Sequence, residues 1–229
     1  MRLIAVFLIV TQMLSAQQIN STDAKGLKQG LWRGFYETSK RIRYEGNFKD
    51  GKEVGTFKFF ADDKNSTVTA ERVFSDLGKT AYTKIYENGF LSSEGKTVNK
   101  KKEGLWKYYH PKSTVVALEE FYKNDKLDSI RKVYYLSGKT AEEASYKNGQ
   151  KNGTYKKITE EGIVLEETIY MNDQYDGDAI FRESDGKVAS KGKFVKGEKK
   201  GFWEFYKDGK LDKREKYPLT KKTVAKKVK

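Results

Sequence analysis

The sequence is poor in the residues that carry most enzyme and metal chemistry. Its 229 residues include no cysteine, one histidine and only two prolines. Without cysteine the chain can form no disulfide, even in an oxidising compartment. Metal sites built on several histidine or cysteine ligands are excluded by the same count. We therefore predict no metal and no cofactor, and any catalysis would have to use other residue types.

Long apolar runs are also scarce, and the longest, Leu3–Val10, lies at the N-terminus. It follows the positive charge of Arg2, and small residues ending at Ala16 come after it, as in a secretory signal peptide. A membrane anchor is the alternative, but about 18 apolar residues are needed to span a bilayer. We therefore predict a signal peptide over residues 1–16, export to the periplasm or the cell exterior, and no transmembrane helix in the mature chain. The lack of cysteine excludes a lipid-modified N-terminal cysteine.

Glycine and aromatic residues are, in contrast, abundant. There are 20 glycines, 13 phenylalanines and 15 tyrosines, and aromatic residues make up 14% of the chain. Disordered chains are poor in aromatic residues, and tyrosine and phenylalanine favour strands over helices. The glycines indicate many tight turns between those strands. The composition therefore predicts an all-β protein.

Positive charge exceeds negative charge, with a formal net charge of +14 at pH 7. The C-terminal segment 218–229 is especially basic and contains Lys221, Lys222, Lys226, Lys227 and Lys229. Such a cluster gains about 1 kcal/mol per charge near an anionic surface, so this tail is a candidate contact with an anionic envelope component. A disordered, solubilising end is the alternative. Elsewhere lysines are interspersed with acidic residues, which does not favour a nucleic-acid partner.

One phrase recurs along most of the chain. GLWRGF begins at Gly30, GLWKYY at Gly104 and GFWEFY at Gly201. Aligning the phrase gives eight units that start near residues 30, 55, 81, 104, 130, 153, 177 and 201. This period indicates a repeat protein in which each unit packs mainly on its neighbours. Residues 17–29 are then an N-terminal linker, residues 30–217 the repeats and residues 218–229 the tail.

Each unit contains two extended segments separated by turn signals. Dipeptides such as Asn88-Gly89 and Asn148-Gly149 supply the positive φ angles that two-residue hairpin turns require. Strand, turn, strand, turn at about twelve-residue spacing indicates consecutive hairpins. The predicted fold is therefore a series of tandem β-hairpins that form an elongated, twisted, single-layer antiparallel sheet.

Alternation along the first strand of each unit sorts side chains between two faces. The residues predicted for repeat packing, and for recognition of a partner, are Trp32, Phe57, Phe59, Trp106, Tyr108, Tyr155, Trp203 and Phe205. The opposite face is mixed. Three units are degenerate, with Thr83, Lys132 and Ala179 where tryptophan would stand.

Carboxylates recur at one position of the second strands, at Glu119, Glu143 and Glu167. A second glutamate beside each points to the other face, so an adjacent pair is not a site. Cross-strand pairing with Lys132 and Lys156 explains them and is worth roughly 0.2–1 kcal/mol per pair. The alternative, a calcium ladder, would need about six to eight converging oxygen atoms.

The phrase G-x-W-x-x-Y, repeated in tandem, resembles the MORN repeat, and in particular the bacterial variant found in YwqK-like antitoxin proteins. The best matches are Gly30/Trp32/Phe35, Gly104/Trp106/Tyr109 and Gly201/Trp203/Tyr206. The resemblance covers about residues 26–217. It implies an open single-layer antiparallel sheet and a binding or scaffolding role, with no catalytic residue set.

The single histidine, His110, would need a nucleophile and an orienting partner to act as a general base. The sequence contains no G-x-S-x-G, and its Gly-Lys dipeptides lie at hairpin turns rather than in phosphate loops. We therefore predict a non-catalytic, exported platform for a protein or cell-envelope partner, with no nucleic acid and no small-molecule substrate. The alternative is an antitoxin or immunity module that neutralises a partner protein. An envelope hydrolase that uses His110 is a third hypothesis.

Overall fold

A computed structural model describes residues 18–218. The predicted signal peptide, residues 1–16, and the five tail lysines from Lys221 to Lys229 lie outside the described residues. The strands are β1 (Ser21–Thr22), β2 (Lys28–Phe35), β3 (Ile42–Lys49), β4 (Lys52–Phe60), β5 (Val68–Ser75), β6 (Thr80–Glu87), β7 (Phe90–Val98), β8 (Lys101–Tyr109), β9 (Val116–Lys123), β10 (Lys126–Leu127), β11 (Ser129–Tyr134), β12 (Thr140–Lys147), β13 (Gln150–Ile158), β14 (Val164–Met171), β15 (Gln174–Arg182), β16 (Val188–Val195), β17 (Glu198–Lys207) and β18 (Lys210–Tyr217). A short 3₁₀ turn, Asp76–Gly78, precedes β6.

The strands form one antiparallel sheet in which each long strand pairs with the next along the chain. The short strand β1 pairs with β2 at one edge, within the segment predicted as a linker, and β18 forms the other edge beside β17. The short β10 pairs with β9, which also pairs with β11. The prediction of an open single layer of tandem hairpins is confirmed.

Most turns between units have the backbone that the sequence predicts. Both central residues have positive φ angles at Asp50-Gly51, Asn99-Lys100, Asn124-Asp125, Asn148-Gly149, Asn172-Asp173 and Lys196-Gly197. This is the conformation of a two-residue turn whose twist matches that of the flanking strands. The connection between β5 and β6 differs, because the 3₁₀ turn Asp76–Gly78 and Lys79 replace the two-residue turn.

The first glycine of the repeated phrase lies inside a strand at positive φ, as at Gly104 (φ 72°). The pairing register shifts at this point, because the adjacent residues Gly95 and Lys96 of β7 pair with Trp106 and Glu103, which are three positions apart. A bulge residue in the left-handed region favours glycine because a Cβ is disfavoured there. In the fifth unit Ser129 takes this place, with a φ of 84°.

The core of this single layer is a row of side chains that crosses all long strands on one face. We call it the central row; it contains Trp32, Gly46, Phe57, Arg72, Thr83, Gly95, Trp106, Glu120, Arg131, Ala144, Tyr155, Thr168, Ala179, Gly192, Trp203 and Glu215. The face that carries it is the aromatic face. The register corrects one assignment, because Arg131, and not Lys132, stands at the tryptophan position of the fifth unit.

Candidate functional site

The large rings of the central row are buried although residues 18–218 form a single layer. Trp203 is 0% exposed, Phe57 2%, Trp106 4% and Tyr155 8%, while Trp32 is only partly buried. Glycine supplies the space for several of these rings. Gly46, Gly95 and Gly192 lie against Phe57, Trp106 and Trp203, and a Cβ on any of these glycines would overlap the ring. The rings therefore lie down on the sheet instead of standing away from it.

A lysine covers the outer side of four of these rings. Lys28, Lys102, Lys151 and Lys199 each precede the ring residue by four positions, and their Nζ atoms lie 4.4, 4.6, 4.6 and 4.3 Å from the ring centroids. At this distance the ammonium is attracted to the ring face, and the aliphatic stem shields the ring from water. The recurring spacing K-x-G-x-[WY] was present in the sequence, although the prediction from strand alternation did not include it.

The remaining residues predicted for the aromatic face lie beside the central rings. The centroids of Phe59, Tyr108 and Phe205 lie 6.5, 6.5 and 6.4 Å from those of Phe57, Trp106 and Trp203. Rings from the second strands fill the other side, as where Phe194 meets Trp203 edge to face at 4.9 Å. The structure thus brings all eight predicted ring residues to one face, and their mutual packing leaves little ring surface for a partner.

Two of the three degenerate units replace the missing ring with other side chains. In the seventh unit, Ala179 stands at the ring position, and Tyr175 occupies the place of the covering lysine. The Tyr175 ring lies 4.6 Å from that of Tyr170 and 4.8 Å from that of Phe194. Ala179 is 1% exposed as a result.

In the fifth unit a hydrogen-bonded network replaces the ring. Nε of Arg131 donates to Glu120 at 3.3 Å and Nη1 donates to Glu142 at 2.9 Å. Tyr122 donates to Glu120 at 2.6 Å, and Tyr155 donates to Glu142 at 3.2 Å. Burial, together with these carboxylates, raises the pKa of both tyrosines above its usual range. Each charged group already has partners, so the network holds the sheet together and offers no uncommitted base.

The third unit leaves a hollow. Thr83 stands at the ring position, and a cavity of about 430 Å³ opens above it. Its lining residues are Glu53, Arg72, Phe74, Gly78, Lys79, Ala81, Thr83, Ile85, Thr97, Lys100 and Trp106. The hollow therefore combines an apolar floor with a rim of mainly basic side chains.

The opposite face carries a second continuous row, which we call the charge ladder. From β2 to β18, leaving out the short β10, it contains Arg33, Glu45, Lys58, Glu71, Lys84, Glu94, Lys107, Glu119, Lys132, Glu143, Lys156, Glu167, Ile180, Lys191, Glu204 and Arg214. Ion pairs include Lys132–Glu143 at 3.1 Å and Lys156–Glu167 at 3.2 Å, which confirms the predicted cross-strand pairing. The signs alternate without a break up to Ile180 and then continue in the opposite phase.

Large apolar side chains lie beside the charge ladder on the same face. In the first strand of a unit they precede the ladder residue by two positions, and in the second strand they follow it by two. This apolar row contains Leu31, Val73, Tyr82, Leu105, Phe121, Ile130, Ile169 and Phe202. All except Leu31 and Leu105 are exposed, from 39% at Ile169 to 53% at Phe202. Register places Val73 opposite Tyr82 and Leu105 opposite Phe121, so apolar residues adjoin across strands. The ladder face therefore presents a row of apolar side chains to solvent, whereas on the aromatic face Ile85, 37% exposed, lines the hollow of the third unit.

The single histidine contacts the backbone of the following unit. Nε2 of His110 lies 3.1 Å from the backbone oxygen of Tyr134. Across residues 18–218, no group of three or more His, Asp or Glu side chains is placed to hold a metal ion. No helix in the same range is long and apolar enough to cross a membrane. Burial and a hydrogen bond to Glu119 raise the pKa of Tyr134 to about 12.

Comparison with known proteins identifies no relative by sequence. No protein-family model matches the chain, and no curated protein does. Among solved structures, part of the chain is similar to the GtfA/B complex, with 18% identity, a TM-score of 0.28, and coverage of 39% of this chain and 18% of that one. A similar match is to a mutant of S. aureus TarM in complex with fondaparinux, alpha-GlcNAc-glycerol and UDP, with 12% identity, a TM-score of 0.27, and coverage of 53% and 19%. The chain spans about a fifth of each matched chain, and likeness at this level carries no argument about function.

Proposed function

We propose that this protein is an exported, non-catalytic binding platform whose ladder face docks a protein partner. The observation that carries the proposal is the contrast between the two faces. Lysines cover four of the central rings of the aromatic face, whereas the ladder face leaves the apolar row exposed between charged side chains. Export rests on the predicted signal peptide, residues 1–16.

The charges of the ladder favour a protein over a polyanion. The ladder holds eight basic and seven acidic residues, and most lie beside a neighbour of opposite sign. A surface built for nucleic acid or an acidic polymer would instead present one sign. Exposed aromatic and aliphatic residues within a polar surround are typical of protein interfaces. The pair Phe121 and Ile130, 40% and 44% exposed, offers an anchor of this kind.

Face-specific photocrosslinking tests this proposal. A photoreactive residue at Ile130, on the ladder face, should crosslink a defined protein in the envelope fraction. The same residue at Lys157, which is exposed on the aromatic face, should not. The substitution Phe121→Lys should weaken binding of the crosslinked protein by about tenfold or more, which corresponds to about 1.4 kcal/mol.

Leu136→Lys provides a matched control, because Leu136 is an exposed leucine, 63% accessible, outside the apolar row. This variant should bind normally, and both variants should keep the melting temperature of the parent chain. Equal crosslinking from both faces, or equal binding by the Phe121 and Leu136 variants, would contradict the proposal. A turnover that is lost in His110→Ala would also contradict it, in favour of an enzyme.

A further inference from the structure

The three degenerate units differ in what fills the space of the missing ring. Tyr175 fills it in the seventh unit, and the Arg131 network fills it in the fifth. In the third unit the small Ala81 and Thr83, 5% and 4% exposed, form the floor of a cavity of about 430 Å³. Among the described units, this hollow is therefore the place where the repeat loses a ring without replacing it.

The covering lysine of the repeat is still present in the third unit. Lys79 precedes Thr83 by four residues, as Lys102 precedes Trp106, and it lines the hollow. No described ring lies beneath the Lys79 ammonium within cation–π distance. The hollow thus retains the cation that covers a ring elsewhere, but not the ring.

Further positive charge surrounds the same space. Arg72 pairs with Thr83 across the strands and is exposed, and Lys100 lines the hollow from the turn that follows β7. Glu53 is the single carboxylate among the lining residues. With Lys79, three cations face one anion, so a negatively charged group is favoured there.

The floor provides apolar contact for a flat group. Phe74, Ile85 and Trp106 line the hollow along with Ala81. Cavities of about 300–1,000 Å³ with apolar walls and a few polar groups are typical of small-ligand sites. A planar ring that enters here would meet Lys79 and Ile85, which take the places of Lys102 and Tyr108 around Trp106. Arg72 stands where Trp106 has Gly95.

We propose that the hollow of the third unit binds a small molecule with a planar aromatic ring and an anionic substituent. The ring takes the place of the missing tryptophan beneath Lys79, and the anionic group pairs with Arg72 and Lys100. The sequence predicted no small-molecule substrate, and in this proposal the ligand is bound but not transformed. Because the hollow lies on the aromatic face, the proposal is independent of protein docking on the ladder face.

Titration of the ¹⁵N-labelled protein with indole-3-acetate, followed by amide chemical shifts, tests the inference. We expect saturable shifts confined to β4–β8, the strands that carry the lining residues, with a Kd of about 1 mM or tighter. Indole alone, which lacks the charge, and acetate alone, which lacks the ring, should each bind at least about tenfold more weakly. Equal binding of either fragment would overturn the proposal, as would the absence of saturable shifts at the hollow.

Two variants locate the site and separate binding from folding. Thr83→Trp places a ring in the hollow and should abolish binding of indole-3-acetate. Because Arg72, and not glycine, stands opposite this position, far-UV circular dichroism is used to show that the variant keeps the sheet. Arg72→Gln changes an exposed side chain and should weaken binding by about tenfold without unfolding the sheet. Lys157→Gln, an exposed cation of the same face outside the hollow, is the matched control and should bind normally. Parent-like binding by folded Arg72→Gln protein would refute the assignment.

Discussion

Glycine has two separate roles in this sheet. Gly104 provides a positive φ angle at a bulge, and nothing lies within 4 Å of the Cβ that another residue would add. Gly95 has ordinary strand geometry, but a Cβ there would overlap the Trp106 ring. The first role concerns the backbone and the second concerns space for a ring. Substitutions at the two positions should therefore have different consequences.

The change Gly95→Ala should destabilise the protein, because the new methyl group forces the Trp106 ring away from the sheet and from Lys102. Overpacking of this kind costs about 1–3 kcal/mol. The free energy of unfolding in urea measures the effect. Gly104→Asn is a suitable control, because asparagine tolerates positive φ and the space is open, so its loss should be smaller. An unchanged stability for Gly95→Ala would show that the ring does not depend on this close approach.

At the scale of the strands, the charge ladder and the central row together specify the register. They occupy adjacent positions on opposite faces, so a slip of one residue would move ladder charges among the buried rings. Each exposed ion pair contributes little to stability by itself. Repetition across the strands makes the wrong register unfavourable in every hairpin where it occurs.

Reversal of one ladder charge tests whether the alternating charges stabilise the sheet. In Lys132→Glu, the new carboxylate lies between Glu119 and Glu143, and like charges directly across strands are destabilising. We expect a loss of about 1 kcal/mol, and a smaller loss for Lys132→Gln, which removes the pairing without repulsion. The difference between the two variants should shrink in high salt because exposed charges are screened. A difference that is independent of salt would point to packing as its cause.

Most of the strands and turns could be predicted from local sequence, because alternation and Asn-Gly or Asp-Gly turns are short-range signals. The prediction of Lys132 at the ring position of the fifth unit was wrong by one residue. Ser129 replaces the bulge glycine there, so the sequence lacks the glycine that marks the start of the phrase, and the residue at the ring position is Arg131. The compensation by Tyr175 was also not predictable from strand alternation. Alternation places Tyr175 on the same face as Ala179, but only its ring contacts with Tyr170 and Phe194 show that it fills the space of the missing ring. The hollow at Thr83 was not predictable either, because it depends on which side chains of the neighbouring strands reach the space of the missing ring.

In the whole molecule, the long strands pair only with their neighbours along the chain, so a substitution should change the stability mainly of the strands around it. Each hairpin contacts the next, and β2 pairs with none of the strands beyond β3 on that side. The outer edge, β18, reads KLDKREKY, and such a charged edge strand resists further pairing with other sheets. Stability should then behave as a sum of unit and nearest-neighbour terms, as in other repeat proteins.

The change Trp203→Ala tests this locality, because Trp203 is fully buried and packs on Phe194 in the last two units. Its loss should cost about 3–5 kcal/mol. If coupling is between nearest neighbours, native-state hydrogen exchange should accelerate in β15–β18 and remain unchanged in β2–β5. Phe202→Ala, an exposed neighbour on the ladder face, controls for the substitution itself and should leave exchange nearly unaltered. Uniform acceleration throughout the sheet would instead mean that the eight units unfold as one cooperative body. The substitution at one end would then lower the same global free energy of unfolding for every strand.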